Sequence, residues 1–183
     1  MEIKDLTKKI LQGKIFIYPT DTIYGLGCSA LDRKAIKKIR EMKQRPYTPF
    51  SVIAPSKKWI EETCYLSKEA KRWLKNLPGP YTLILKTKNS PVAPEVNMGI
   101  ETLGIRIPDH WISSFVEELG IPIITTSVNV TDEQFMTKIE DLDADVNSEI
   151  KKRLDFVIYE GEKNGRPSRI VHLEGKEVKI RER

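Results

Sequence analysis

Histidine and cysteine are nearly missing from this chain, which rules out several kinds of chemistry. Cys28, Cys64, His110 and His172 are the full complement of both residue types in 183 residues, and they stand apart. They form no paired CxxC, HExxH or EF-hand spacing, so neither a structural metal nor a disulfide framework is expected. The thiols are expected to be reduced and partly buried, and the histidines to serve packing or the surface. Aromatic residues make up 8% and are scattered; the paired aromatics and the GXXG clamp of common RNA modules are missing. No apolar run is long enough to span a bilayer, and no basic-then-apolar leader follows Met1, so a cytoplasmic location is expected. A GxxxxGK[ST] phosphate loop and a GxGxxG fingerprint are also missing. Spacing reveals no Ser-His-Asp or Cys-His arrangement. An enzyme made from these parts would position reactants and neutralise phosphate charge, without a covalent protein nucleophile.

The sequence is 39% hydrophobic and 31% charged, with a formal charge of +5 and a pI near 9.1. Those values suit one domain over 1–183 with a real core. They favour anionic partners such as nucleotides, nucleic acid or phosphorylated metabolites, without choosing among them. Periodicity predicts an amphipathic helix over 3–12 stopped by Gly13, a strand over 14–18, and a helix capped by Asp32 that runs to 42. A strand follows over 50–54, with helices opened by Ser56 and Ser67. Pro78-Gly79-Pro80 aims a strand over 81–86, and a proline-punctuated loop leads to another over 102–107. A helix over 111–119 precedes a short strand over 122–126. Residues 130–153 read as helix with loops. Strands over 156–159, 169–173 and 177–181 close the chain, with a loop over 161–167 and a turn at Gly175-Lys176. The order predicts an α/β fold, a twisted open mixed sheet with helices packed on it.

Three segments and one strand carry candidate chemistry. The run Tyr18-Pro19-Thr20-Asp21-Thr22-Ile23-Tyr24-Gly25-Leu26-Gly27 follows the apolar Ile15-Phe16-Ile17. It puts hydroxyls and a carboxylate at a strand end, where α/β sheets bind ligands; an unusually polar turn is the alternative. In Lys43-Gln44-Arg45-Pro46, proline biases Arg45 to an extended backbone, in which Lys43 and Arg45 would face one way as a phosphate clamp. A basic helix end facing its own dipole explains the same letters. Ser127-Val128-Asn129 follows a short apolar strand, and alternation sets its hydroxyl and amide on one face. Those groups suit phosphate or ribose, or a plain strand-to-turn transition. Arg106, between Ile105 and Ile107, requires either solvent or a buried anion. That anion is a substrate carboxylate or an internal aspartate.

Taken together these segments, with Pro78-Gly79-Pro80-Tyr81-Thr82 and Ile105-Arg106-Ile107-Pro108, resemble the YrdC family of threonylcarbamoyl-AMP synthases. The resemblance runs from 14–18 to Arg181 and ends where single-domain members end. It implies a mixed sheet around a basic concave groove. It also implies a reaction, in which L-threonine and bicarbonate (or CO2) give an N-carboxylated threonine that attacks the α-phosphate of ATP. Pyrophosphate leaves, and threonylcarbamoyl-AMP is formed for N6-threonylcarbamoyladenosine synthesis on tRNA. Mg²⁺ would arrive with ATP. The implied partners are ATP, L-threonine, bicarbonate, a downstream threonylcarbamoyl transferase and tRNA or other RNA, with no membrane.

Carried over by position, Lys43, Arg45, Ser127 and Asn129 match the catalytic KxR and SxN motifs at the ATP phosphates, the nucleotide and its metal. Thr22, Arg106 and Ser168 match threonine contacts, Arg106 taking the carboxylate. Thr48, Thr102 and Arg181 match further nucleotide contacts, although the loop at Thr48 is one residue short. Val128 replaces the usual alanine, Val130-Thr131-Asp132 replaces a Ser-Gly turn, and Ile53 stands about where longer members carry histidine. Segments 78–86, 102–108 and 123–127 also resemble the YciO branch. The alternative is therefore a YciO-like nucleotide- or RNA-binding protein without robust synthase activity.

Overall fold

The first helix, α1 (Ile3–Leu11), buries Leu6 and Ile10 and ends at Gly13, whose φ of 76° suits glycine. The structure is a computed structural model and describes residues 2–130, 133–143, 147–175 and 177–182. Strand β1 (Phe16–Tyr18) follows. The polar run after it, expected as loop, ends in a second strand, β2 (Gly25–Gly27). Its glycines explain why alternation gave no signal. A Cβ at Gly25 would lie 2.8 Å from the Tyr18 ring, and one at Gly27 would lie 2.4 Å from the Ile124 carbonyl. Tyr18 lies across β2 and donates its hydroxyl to the Ile124 carbonyl at 2.8 Å.

Asp32 caps α2 (Arg33–Met42) by accepting from the Lys34 and Ala35 amides. Then come β3 (Ser51–Ile53), α3 (Lys57–Thr63) and α4 (Lys68–Leu74), with Ser56 and Ser67 as caps. Strand β4 (Tyr81–Lys86) matches expectation, whereas the proline-punctuated loop holds a short helix, α5 (Pro94–Asn97), opened by Pro94. Next are β5 (Thr102–Arg106), α6 (Trp111–Leu119) and β6 (Ile123–Ser127). A 3₁₀ turn (Ile139–Asp143), α7 (Ser148–Arg153), β7 (Phe156–Val157), β8 (Arg169–His172) and β9 (Lys179–Arg181) complete the order. Of the turn expected at Gly175-Lys176, and of Thr131 and Asp132, Lys176 and the latter two lie outside the described residues.

The strands form one open mixed sheet in the order β7-β1-β2-β6-β3-β5-β4-β8-β9. The β1–β7, β3–β5 and β4–β8 pairs are parallel. On one face, Leu26, Val52, Leu83, Ile105 and Ile124 pack with Ile36 and Ile39 of α2, Ile60 of α3 and Leu74 of α4. On the other, Phe16, Tyr18, Ile53 and Ile123 pack under Leu6, Ile10, Ile112, Phe115 and Val116 of α1 and α6. Those two helices cover only part of their face. The rest of it mixes polar residues with Ile84 and Ile170.

Candidate functional site

Register decides which side chains share that uncovered face. Residues opposed in a ladder point the same way, and so do alternate residues along a strand. Gly104 opposes Ser51, which opposes Thr125, and Gly25 opposes Ser127. Thr102 and Arg106 flank Gly104 at two-residue spacing. Ile84 opposes Gly104, so Thr82 belongs to the same face. Ile170 opposes both Thr82 and Arg181, and Ser168 precedes it by two. Five of the residues singled out in the sequence, Thr102, Arg106, Ser127, Ser168 and Arg181, thus fall on one face. Arg106 and Thr102 are four residues apart on β5, about 13 Å at a normal strand rise. Gly104 lies between them, where a Cβ would come within 2.4 Å of the Ser51 hydroxyl.

At one end, Thr20, Thr82, Arg106, Thr125 and Ser168 line a small cleft that reaches as far as Ser51 and Ser127. Arg106 Nη2 donates to Asp21 Oδ1 at 2.8 Å and to Thr22 Oγ1 at 3.2 Å. The internal aspartate is therefore its observed partner. Asp21 also accepts from the Asp109 amide. Burial pulls the arginine pKa down, and the Asp21 carboxylate counters that pull. Arg106 Nε is buried with no hydrogen-bond partner among the described residues, a costly state that a bound carboxylate would relieve. Thr22 is 4% exposed, and its hydroxyl sits 3.0 Å from that of Thr20.

At the other end, Lys43 is 1% exposed. Its ammonium donates to the Ser127 carbonyl at 2.6 Å, the Asn129 carbonyl at 2.5 Å and Asn129 Oδ1 at 3.0 Å. Ser127 Oγ donates to the same Oδ1 at 2.6 Å, and Val128 is buried on the opposite side. The KxR and SxN segments therefore meet directly.

The expected parallel Lys43–Arg45 clamp is not what forms. Lys43 ends α2 in a helical conformation, and Gln44 takes a left-handed φ of 49°, so the segment is curled rather than extended. Lys43 turns inward, while Arg45 lies over the Phe50 ring and donates to the Pro49 carbonyl. Arg40 holds this loop, donating to the carbonyls of Arg45, Thr48, Glu95 and Val96. Thr48 is exposed and meets Arg40 through its carbonyl. Arg181 is exposed on β9, at the outer edge of the face. Ile53 is buried beneath α6.

The loop over 161–167 belongs to a longer strap that runs from β7 to β8, at opposite sides of the sheet. Tyr24 ties it down, since its hydroxyl accepts from the Glu160 amide and donates to the Gly161 carbonyl. Gly165 lies so close that a Cβ there would be 2.2 Å from the Thr22 carbonyl. Burial raises the Glu160 pKa, but the Trp111 indole N–H, the neighbouring His110 ring and the Lys163 ammonium outweigh it and hold the carboxyl below its usual range. Thr20, Asp21, Arg40 and Thr82 were not named as site residues from sequence. Thr20 and Asp21 stood inside the polar run. Arg40 fell on the buried Ile36–Ile39 side of an amphipathic helix, a signal that was available. Thr82 becomes visible only once the β4–β5 register is known.

An open mixed sheet with helices over part of one face, and with Arg106, several hydroxyls and the Lys43–Ser127–Asn129 cluster gathered on the remainder, defines an α/β protein with a polar cleft on its sheet. Residues 8–183 match the family model Sua5_yciO_yrdC, described as Telomere recombination. The chain belongs to this Sua5–YciO–YrdC family. It is 40% identical over 182 residues to a Methanocaldococcus jannaschii protein named as a candidate threonylcarbamoyl-AMP synthase, covering 97% of this chain and 83% of that one. It is 34% identical over 158 residues to the threonylcarbamoyl-AMP synthase of Bacillus subtilis, covering 84% of this chain and 46% of that one. The structure of Pyrococcus abyssi Sua5 complexed with L-threonine superposes with a TM-score of 0.84 at 30% identity, covering 97% of this chain and 52% of that one. The chain thus spans about half the length of these last two relatives.

Proposed function

We propose that this protein is a threonylcarbamoyl-AMP synthase, an ATP-dependent nucleotidyltransferase acting on L-threonine and bicarbonate. The observation that carries the reading is the row on the bare face. It has a buried arginine whose Nε has no partner among the described residues at one end and the Lys43–Ser127–Asn129 cluster at the other. Arg106 takes the threonine carboxylate, with Thr22 and Ser168 beside it. The amine attacks the bicarbonate carbon, water leaves, and the resulting carbamate points along the row. A carbamate oxygen attacks the α-phosphate, the bond to the bridging oxygen breaks, and pyrophosphate leaves. Lys43 and Arg45 neutralise charge on the phosphates. Ser127 and Asn129 hold the nucleotide on the row, with Thr48, Thr102 and Arg181 as outer contacts.

Magnesium would be held mainly by the triphosphate oxygens and water, since Ser127 and Asn129 supply neutral oxygens and no carboxylate cage. When bound, that ion supplies further neutralisation of the phosphates. The strap over Thr22 limits water at the amino-acid end, which protects a mixed anhydride from hydrolysis. Such an anhydride is the activated form that a transferase acting on tRNA would consume. No described helix is long and apolar enough to cross a membrane.

Pyrophosphate release from ATP tests the proposal. It is expected only when both L-threonine and bicarbonate are present. Release that ignores threonine, or no release under any combination, contradicts it.

A further inference from the structure

Thr82 and Ser168 come from different strands and meet as a buried hydroxyl pair. Their oxygens are 2.7 Å apart, Thr82 is 1% exposed and Ser168 is 3% exposed, and both line the cleft that holds Arg106. The β4–β5 register, continued one residue past Leu83↔Ile105, sets Thr82 opposite Arg106. Two hydroxyls hold two protons between them, and their mutual hydrogen bond uses one. The pair therefore offers the cleft a single O–H donor next to a guanidinium.

We propose that Thr82 is a positioning residue: it donates to Ser168 and thereby turns the Ser168 hydroxyl into a fixed donor toward the carboxylate of the bound amino acid. This rests on the synthase reading above. The polarity follows from the ligand together with the place of Ser168 as its threonine contact. A carboxylate only accepts hydrogen bonds, so the cleft must present protons to it. A serine that spent its proton on Thr82 would turn a lone pair toward the anion. Thr82 is well suited to the internal role, because its β-branched side chain has restricted rotamers in a strand while serine turns freely.

Thr82→Val keeps the shape and removes the hydroxyl. It is expected to raise KM and the calorimetric Kd for L-threonine severalfold, because Ser168 keeps its proton but loses the neutral hydrogen bond that fixes it. The KM for ATP should stay within about twofold. Thr82→Ser should recover most of the threonine affinity. Ser168→Ala removes the donor itself and should lose at least as much as the valine variant, and the double variant should be no worse than Ser168→Ala alone, because the two side chains act as one unit. Additive losses, a serine variant as poor as the valine one, or equal shifts in both KM values would overturn the inference. Wild-type protein that binds L-threonine, with unchanged affinity in Thr82→Val, overturns this inference alone. Wild-type protein that binds no L-threonine overturns the synthase reading and the inference with it.

Discussion

Lys43→Met is expected to lower threonine-dependent pyrophosphate release by about a hundredfold or more, the scale seen when one preorganised charge-stabilising donor is lost. Methionine preserves the aliphatic volume at a position 1% exposed, so the core beneath stays filled. What disappears is the ammonium that joins the end of α2 to the Ser127 carbonyl and to both oxygens of Asn129. The two backbone carbonyls lose this donor, while Asn129 Oδ1 keeps the one from Ser127, for an expected stability cost of about 1–3 kcal/mol, which thermal melting would detect. Lys43→Arg should not rescue activity. Its planar fork cannot converge on three acceptors as a tetrahedral ammonium does. Steady-state kinetics on the folded variants checks this. Near-normal activity in Lys43→Met would remove the lysine from the phosphate site.

Arg106→Leu has a second large expected effect, and it divides into two parts. The Asp21–Arg106 pair is buried, with side chains 10% and 7% exposed. Removing one partner strands the other charge, at about 3–5 kcal/mol. For a chain of this size that lowers the melting temperature by roughly 10 °C. Threonine binding should disappear as well. Pairing the change with Asp21→Asn removes the stranded charge, so the double variant should regain part of the lost melting temperature and none of the threonine binding. Recovery of both would make Arg106 structural only. Recovery of neither would mean that the pair is not what holds the Pro19–Thr22 segment in place.

The elements with strong periodicity were legible in the sequence. Asp32, Ser56 and Ser67 announced helices that the structure caps with those residues. Strand β4 and helix α6 have the expected bounds. Strand β2 was hidden because Gly25 and Gly27 have no side chains to alternate, and their role appears only with the Tyr18 ring above them. The site was legible by residue type and only partly by direction. Ser127 and Asn129 share a face as alternation requires, whereas the left-handed Gln44 sends Lys43 and Arg45 apart. Arg106 was open between two anions, and a single sequence cannot say that Asp21, 85 positions earlier, is the one it meets. The strap is a tertiary fact. Residues 161–167 read as an ordinary loop until Gly165 is placed against Thr22.

A crystal structure of the protein with L-threonine and a non-hydrolysable ATP analogue tests the central claim most directly. The account predicts the threonine carboxylate on Arg106 Nε beneath the strap. It also predicts the triphosphate beside the Lys43–Ser127–Asn129 cluster, with the α-phosphorus facing the threonine amino nitrogen. Threonine bound elsewhere, or a triphosphate on the helical side of the sheet, would contradict it.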